Sequence, residues 1–216
     1  MEKDKTSKII AIIALLIAVV GLSVGFASFS TTLKISSSAN VTPNSDTFKV
    51  VFSSNGTTLT EGKVTGVASS GATASDATIN NALANPTISG LSATFTEPGQ
   101  NVVYTFYAHN NGEYDAYLKS VTYENVVNEA KTKICTAESG TTEALVATAC
   151  DAISVKVNVG STNTTASKAN ITGHSLLKKA FEEVTVTIEY AADGGRADGD
   201  FSVAFGDISL VYSSVD

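Results

Sequence analysis

The chain has 216 residues and a mass of 22.3 kDa, long enough to bury a full hydrophobic core. Its 14 Lys and Arg against 21 Asp and Glu leave a net charge of −7, which argues against a nucleic-acid partner because phosphate binding needs a basic face. Two His, two Cys, one Met and no Trp leave little material for metal or nucleophilic catalysis, so the expectation is a non-enzyme with no catalytic residue, cofactor or metal site.

Met1–Lys8 is polar and carries Lys3, Lys5 and Lys8, and Ile9–Val20 is an unbroken apolar run. Gly21–Ala27 is smaller and mixed, and it sets Gly25 and Ala27 where a signal peptidase reads small residues, with cleavage expected between Ala27 and Ser28. The rival reading is a retained membrane anchor, since Ile9–Ala27 is 19 residues and a bilayer needs about 20. Residues 1–27 are thus a hydrophobic signal helix or an anchor, and 28–216 an exported domain. On either reading the protein is extracellular or at the cell surface. Signal peptidase is its partner during export, and the membrane is touched only through the N-terminal segment. Without 1–27 the chain holds 19 acids and 11 bases, a net charge of −8 that keeps an exported protein soluble.

Phe29–Val41 comes directly after the signal, with Phe29, Leu33, Ile35, Ala39 and Val41 on one parity. It is either the first strand of the domain or a free strand (28–41) that pairs with another molecule. Phe48, Val50 and Phe52 alternate next, and Gly62–Ala74 reads as a long exposed loop of Gly, Ser, Ala and Thr. Ser75–Ala84 is a candidate two-turn helix capped by Ser75. Leu91–Phe95 and Ala116–Tyr123 are strands, with a Pro98-Gly99 turn after the first. Between them Val102, Tyr104, Phe106 and Ala108 share a face. Two further helices are expected over Thr142–Cys150 and Ser175–Glu182.

Ile153, Val155, Val157 and Val159 alternate with polar residues, as do Val184, Val186, Ile188 and Tyr190. In the last strand Phe201, Val203 and Phe205 are odd, whereas Ile208, Leu210 and Tyr212 are even, which predicts a β-bulge near Gly206-Asp207. Period-two patterning with few helices predicts an all-β chain, an antiparallel β-sandwich of jelly-roll type with a few short helices.

Cys135 and Cys150 are the only cysteines, and in an exported chain they read as a disulfide. The loop Asp193, Asp198 and Asp200 reads as a solvated hairpin loop rather than a calcium site. His109 and His174 stand alone, without the H-E-x-x-H spacing that puts two imidazoles on one zinc. Asn40, Asn55, Asn163 and Asn170 begin glycosylation sequons, common by chance in so Thr-rich a chain.

Three stretches carry a resemblance. They are V-G-F-A-S-F-S-T-T-L at 24–33, F-T-E-P-G-Q-N-V-V-Y-T-F-Y-A-H-N-N-G-E-Y-D-A-Y-L at 95–118, and V-T-V-T-I-E-Y followed by F-S-V-A-F-G-D-I-S-L-V-Y at the end. Together they resemble the TasA/camelysin family, exported in Gram-positive bacteria through a SipW-type signal peptidase. The resemblance implies a jelly-roll subunit of biofilm-matrix fibres that self-associates into filaments. Its processed N-terminal strand would insert into the next subunit by strand addition, with Phe29, Leu33 and Ile35 as the inserted side chains. Cys135–Cys150 lies in a stretch with no counterpart placed in that family. The alternatives are a membrane-tethered pilin-like or adhesin surface protein and a secreted hydrolase, a protease of the camelysin type.

Overall fold

In a computed structural model, residues 30–35, 48–82, 86–123, 133–164, 170–205 and 208–215 are described. Among them β1 (Ser30–Ile35) comes first, and β2 (Val50–Ser53) has all four residues buried. Three short strands follow where an exposed loop was predicted: β3 (Gly62–Val64), β4 (Val67–Ala68) and β5 (Thr73–Ala74). Then come β6 (Ala77–Asn80), β7 (Thr87–Ser89), β8 (Ser92–Phe95), β9 (Asn101–Asn110), β10 (Ala116–Tyr123) and β11 (Lys133–Ala137). Helix α1 (Glu143–Asp151) precedes β12 (Ile153–Val159), β13 (Thr162–Thr164), β14 (Ser175–Leu176), β15 (Phe181–Tyr190), β16 (Phe201–Phe205) and β17 (Ile208–Ser213). The chain is all-β in class, as its alternation predicts.

These strands form three sheets. The first has the order β14-β10-β17-β1-β7-β6-β3, the second β11-β16-β8-β5, and the third β13-β12-β15-β9-β2 with β4 also on β9. The cleanest alternation in the sequence makes the longest ladders. β15 pairs with β9 from Phe181↔His109 to Glu189↔Asn101, and with β12 from Val159↔Val184 to Ile153↔Tyr190. Their inward rows, including Val102, Tyr104, Phe106, Val157, Val186 and Ile188, join buried residues of the other two sheets in one core. Burial of this apolar surface is the main stabilising term, worth about 1.5–3 kcal/mol for each large side chain.

β12 and β13 close a hairpin and β6 pairs with β7, but three turns marked in the sequence cross between sheets instead. Pro98-Gly99, with Gly99 at φ +90°, carries the chain from β8 in the second sheet to β9 in the third. Gln100 is buried there; its Oε1 accepts the Thr96 and Glu97 N–H groups at 2.8 and 3.2 Å. Asn110 then turns the chain from β9 into β10. Its Oδ1 accepts the Gly112 N–H at 3.0 Å, while its Nδ2 donates to Tyr114 O and Leu176 O. The loop through Asp193 is likewise no hairpin, because β15 and β16 lie in different sheets.

Two expected helices are strands. Within Ser75–Ala84, β6 pairs with β3 and β7, and Ala77 and Ile79 are buried while Thr78 and Asn80 are exposed. Two open sheet edges decide this segment against its helical spacing. Asn81 extends the effect: its side chain accepts the Phe52 N–H and donates to the Phe52 carbonyl, as a strand backbone would. Within Ser175–Glu182, the Lys178 N–H goes to Asp115 Oδ1 and the Lys179 N–H to Asn110 O, and Lys179 sits at φ +60°. Those donors and that backbone angle leave no helix.

The third helix forms nearly where it was expected, as α1. The parity change in the last strand is real, since Phe201, Val203, Leu210 and Tyr212 are all buried. It coincides with a change of sheet, from β16 in the second to β17 in the first. Residues 206–207, where the bulge was expected, lie outside the described residues.

Candidate functional site

β1 occupies an interior position that its sequence pattern does not reveal. On one side it makes a six-rung antiparallel ladder with β17, from Ser30↔Ser213 to Ile35↔Ile208. On the other it meets β7 in parallel, among the described residues at one register position, Lys34↔Thr87. Without β1, the facing edges of β17 and β7 would stand about 10 Å apart, two strand spacings, with their ladder groups open.

The predicted exchange residues fall in register on this strand. Leu33 is opposite Leu210, which is fully buried, and Ile35 is opposite Ile208. The alternate positions, Thr32 and Lys34, are opposite Val211 and Ser209. The floor of the slot continues into Leu118 and Val121 on β10 and Ile88 on β7, all fully buried. Phe29 and the expected cleavage residues Ala27 and Ser28 lie outside the described residues.

Cys135 and Cys150 are joined, with Cα atoms 5.9 Å apart, and the bond fastens α1 to β11. Val146 and Ala149 of α1 turn into the core, and Asp198 holds the start of the helix. Its Oδ1 accepts the Thr142 N–H at 2.8 Å and its Oδ2 the Thr142 hydroxyl at 2.6 Å. These bonds hold the Asp198 carboxyl below the usual carboxylate range. Asp198 is therefore a cap. Among the described residues no cluster of three or more His, Cys, Asp or Glu is arranged to hold a metal.

A polar chain with no signature in the residue spacing links the first and third sheets. Thr162 Oγ1 lies 2.7 Å from His174 Nδ1, His174 Nε2 lies 2.7 Å from Glu182 Oε1, and the Tyr212 hydroxyl donates to Glu182 Oε2 at 3.4 Å. The His174–Glu182 contact is close but is not a well-directed hydrogen bond. Burial, and then Glu182, push the Tyr212 hydroxyl well above the ordinary phenol range. The order hydroxyl, imidazole, carboxylate is that of a nucleophile relay. However, the His174 and Glu182 side chains are only 8% and 14% exposed. The array ties β13 and β15 to β17, the strand on which β1 lies. No sequence spacing marks it, because only strand register brings Thr162, Glu182 and Tyr212 together.

Comparison with protein-family models, curated proteins and solved structures yields no match.

Proposed function

We propose that this chain is an exported structural subunit of extracellular or cell-surface fibres of the biofilm-matrix kind. It assembles by adding its N-terminal strand to the neighbouring subunit and is not an enzyme. The observation that carries the reading is the place of β1, interior to the first sheet, laddered to β17 at six positions and, among the described residues, to β7 at one. Residues 36–47 join it to Phe48, and twelve residues reach at most about 40 Å. That length allows the same strand to fill the slot of its own body or of the next one. Such addition is head-to-tail and does not close, so it propagates a filament. The three-sheet arrangement with turns crossing between sheets fits an antiparallel β-sandwich of jelly-roll type, and the resemblance to the TasA/camelysin family points the same way.

A second reading has its own support. A membrane-tethered surface protein or adhesin would complete its sheet with its own strand, as β1 does here. N-terminal sequencing and intact mass of the protein from its cell surface, with negative-stain microscopy of the same sample, separate the two. A chain beginning near Ser28 and found in filaments is expected. Leu33→Asp should then abolish filaments while the body stays folded. A chain retaining Ile9–Ala27 and standing singly in the membrane would overturn the fibre reading. The hydrolase alternative rests on Thr162, His174 and Glu182, and hydrolysis of peptide substrates that His174→Ala abolishes would revive it.

A further inference from the structure

The end of the molecule at which β1 begins carries an apolar surface that the fold does not explain. Ser30 pairs with Ser213, Ser213 with Tyr117, and Tyr117 with Ser175. The chain just beyond these pairs supplies Tyr114, Leu177 and Val215, which are 62%, 59% and 55% exposed. They belong to three separate connections at one end: the β9–β10 turn, the β14–β15 turn and the residues after β17.

Charged groups stand beside them. Lys179 Nζ lies 2.7 Å from Glu113 Oε1, and Asp115 Oδ1 accepts the Lys178 N–H. Two carboxylates and two ammonium groups thus share the connections that carry Tyr114 and Leu177, and Asp216 follows Val215.

The chain outside the described residues says what lies against this end. The apolar run Ile9–Ala27 finishes three Cα steps before Ser30. Those steps span at most about 11 Å. The headgroup layer of a bilayer is itself about 5–8 Å thick on each side. While the run spans a membrane, Ser30 stands at most about 3–6 Å beyond the headgroup layer, so the end that bears it faces the bilayer surface. The basic flank Lys3, Lys5 and Lys8 stays on the cytoplasmic side, which puts the folded body outside.

We propose that Tyr114, Leu177 and Val215 form a lipid-facing surface that seats on the outer leaflet whenever residues 9–27 are still attached. Tyrosine favours this interfacial depth, where its ring is apolar and its hydroxyl wet. Lys178 carries its ammonium toward the headgroup phosphates while its stem lies along the apolar tips, and Lys179 stays with Glu113. The surface operates in the uncleaved chain, whether that is a precursor or the final form, and so stands apart from the fibre reading.

The absence of Trp in the sequence provides the test. Tyr114→Trp and Leu177→Trp are made separately in the full chain and placed in phosphatidylcholine vesicles brominated high on the acyl chains. Val67→Trp is the control. Val67 is 69% exposed and pairs with Val103, about 24 Å along β9 from Asn110. Both end variants should shift to the blue and lose most of their emission on brominated lipid, while Val67→Trp keeps its own. Two end variants guard against misfolding of either one. Equal emission at all three positions would overturn the proposal. So would a chain that fails to float with the vesicles, because the surface depends on the membrane-held run.

Discussion

β15 and β1 are both interior strands, and they differ in how far each is shown paired to its neighbours. β15 is laddered on both sides for nearly its whole length, from Phe181 to Glu189 against β9 and from Val184 to Tyr190 against β12. β1 is laddered along β17, and among the described residues it pairs with β7 at Lys34↔Thr87. The two strands follow the same alternation rule. They differ in how many neighbours each rung satisfies and in the chain that joins them to the body. Local pattern decides that a segment is extended; the number of paired edges decides whether it is permanent.

The largest expected effect lies in the permanent region. Phe106 on β9 is fully buried and meets Phe52 edge-to-face, with ring centroids 5.4 Å apart. Phe106→Ala should cost about 3–5 kcal/mol from lost transfer energy and the cavity left behind. Urea unfolding followed by circular dichroism checks it. A loss under about 1 kcal/mol would mean that the third sheet is not the stable centre.

The same backbone lesion placed in each strand breaks or sharpens the comparison directly. Thr187 lies between Lys156 on β12 and Val103 on β9. Thr187→Pro removes a donor in mid-sheet and should cost about 3 kcal/mol or more. Thr32→Pro, opposite Val211, should leave the body cooperatively folded and speed amide exchange only in β1, β17 and β7. Hydrogen exchange read by mass spectrometry distinguishes these outcomes. Global unfolding by Thr32→Pro would show β1 to be as permanent as β15.

A covalent staple gives the next smaller effect. Cys135→Ser with Cys150→Ser opens a 15-residue loop, worth up to about 3 kcal/mol by loop entropy. The expected result is a lower melting temperature with α1 loosened and the third sheet intact. An unchanged melting temperature, or exchange that spreads into β9 and β15, would show that the staple serves something other than α1.

Strands β9, β12 and β15 are legible because apolar and polar residues alternate along most of each. In β12 the row Ile153, Val155, Val157 and Val159 is enough to identify the strand. Ser75–Ala84 was misread because its short polar and small apolar residues suit a helix as well as a strand, and the pairing with β3 and β7 that decides it is non-local. At the candidate site, the alternation of Leu33 and Ile35 announced a strand, but nothing in it announced the slot between β17 and β7. The Thr162–His174–Glu182–Tyr212 chain was invisible for the same reason, since strand register and not sequence spacing assembles it.

The smallest expected effect is one of pH, and it too should fall on one region only. His109 ends β9, is buried and stacks on Phe181 at 4.0 Å. Its Nδ1 lies 3.0 Å from the Ala180 carbonyl, which can only accept, so Nδ1 carries the proton of the neutral ring. Burial first, and then the charge of Lys179, hold its pKa below the ordinary 6.5. The unfolded chain therefore takes up a proton at higher pH than the folded one. The contribution is complete above 6.5 and is lost as pH falls from there through the lower folded value. Urea midpoints from about pH 8 to about pH 5 should decline, and a proton NMR titration should place the His109 transition below the free value. The residues in register with β1 are Ser, Thr, Val, Leu, Ile and Tyr, none of which titrates in that window. Amide exchange in β1 should therefore be no more sensitive to acid than global unfolding makes it. Selective release of β1 on acidification would overturn this assignment and shift attention to His174 and Glu182 beneath β17.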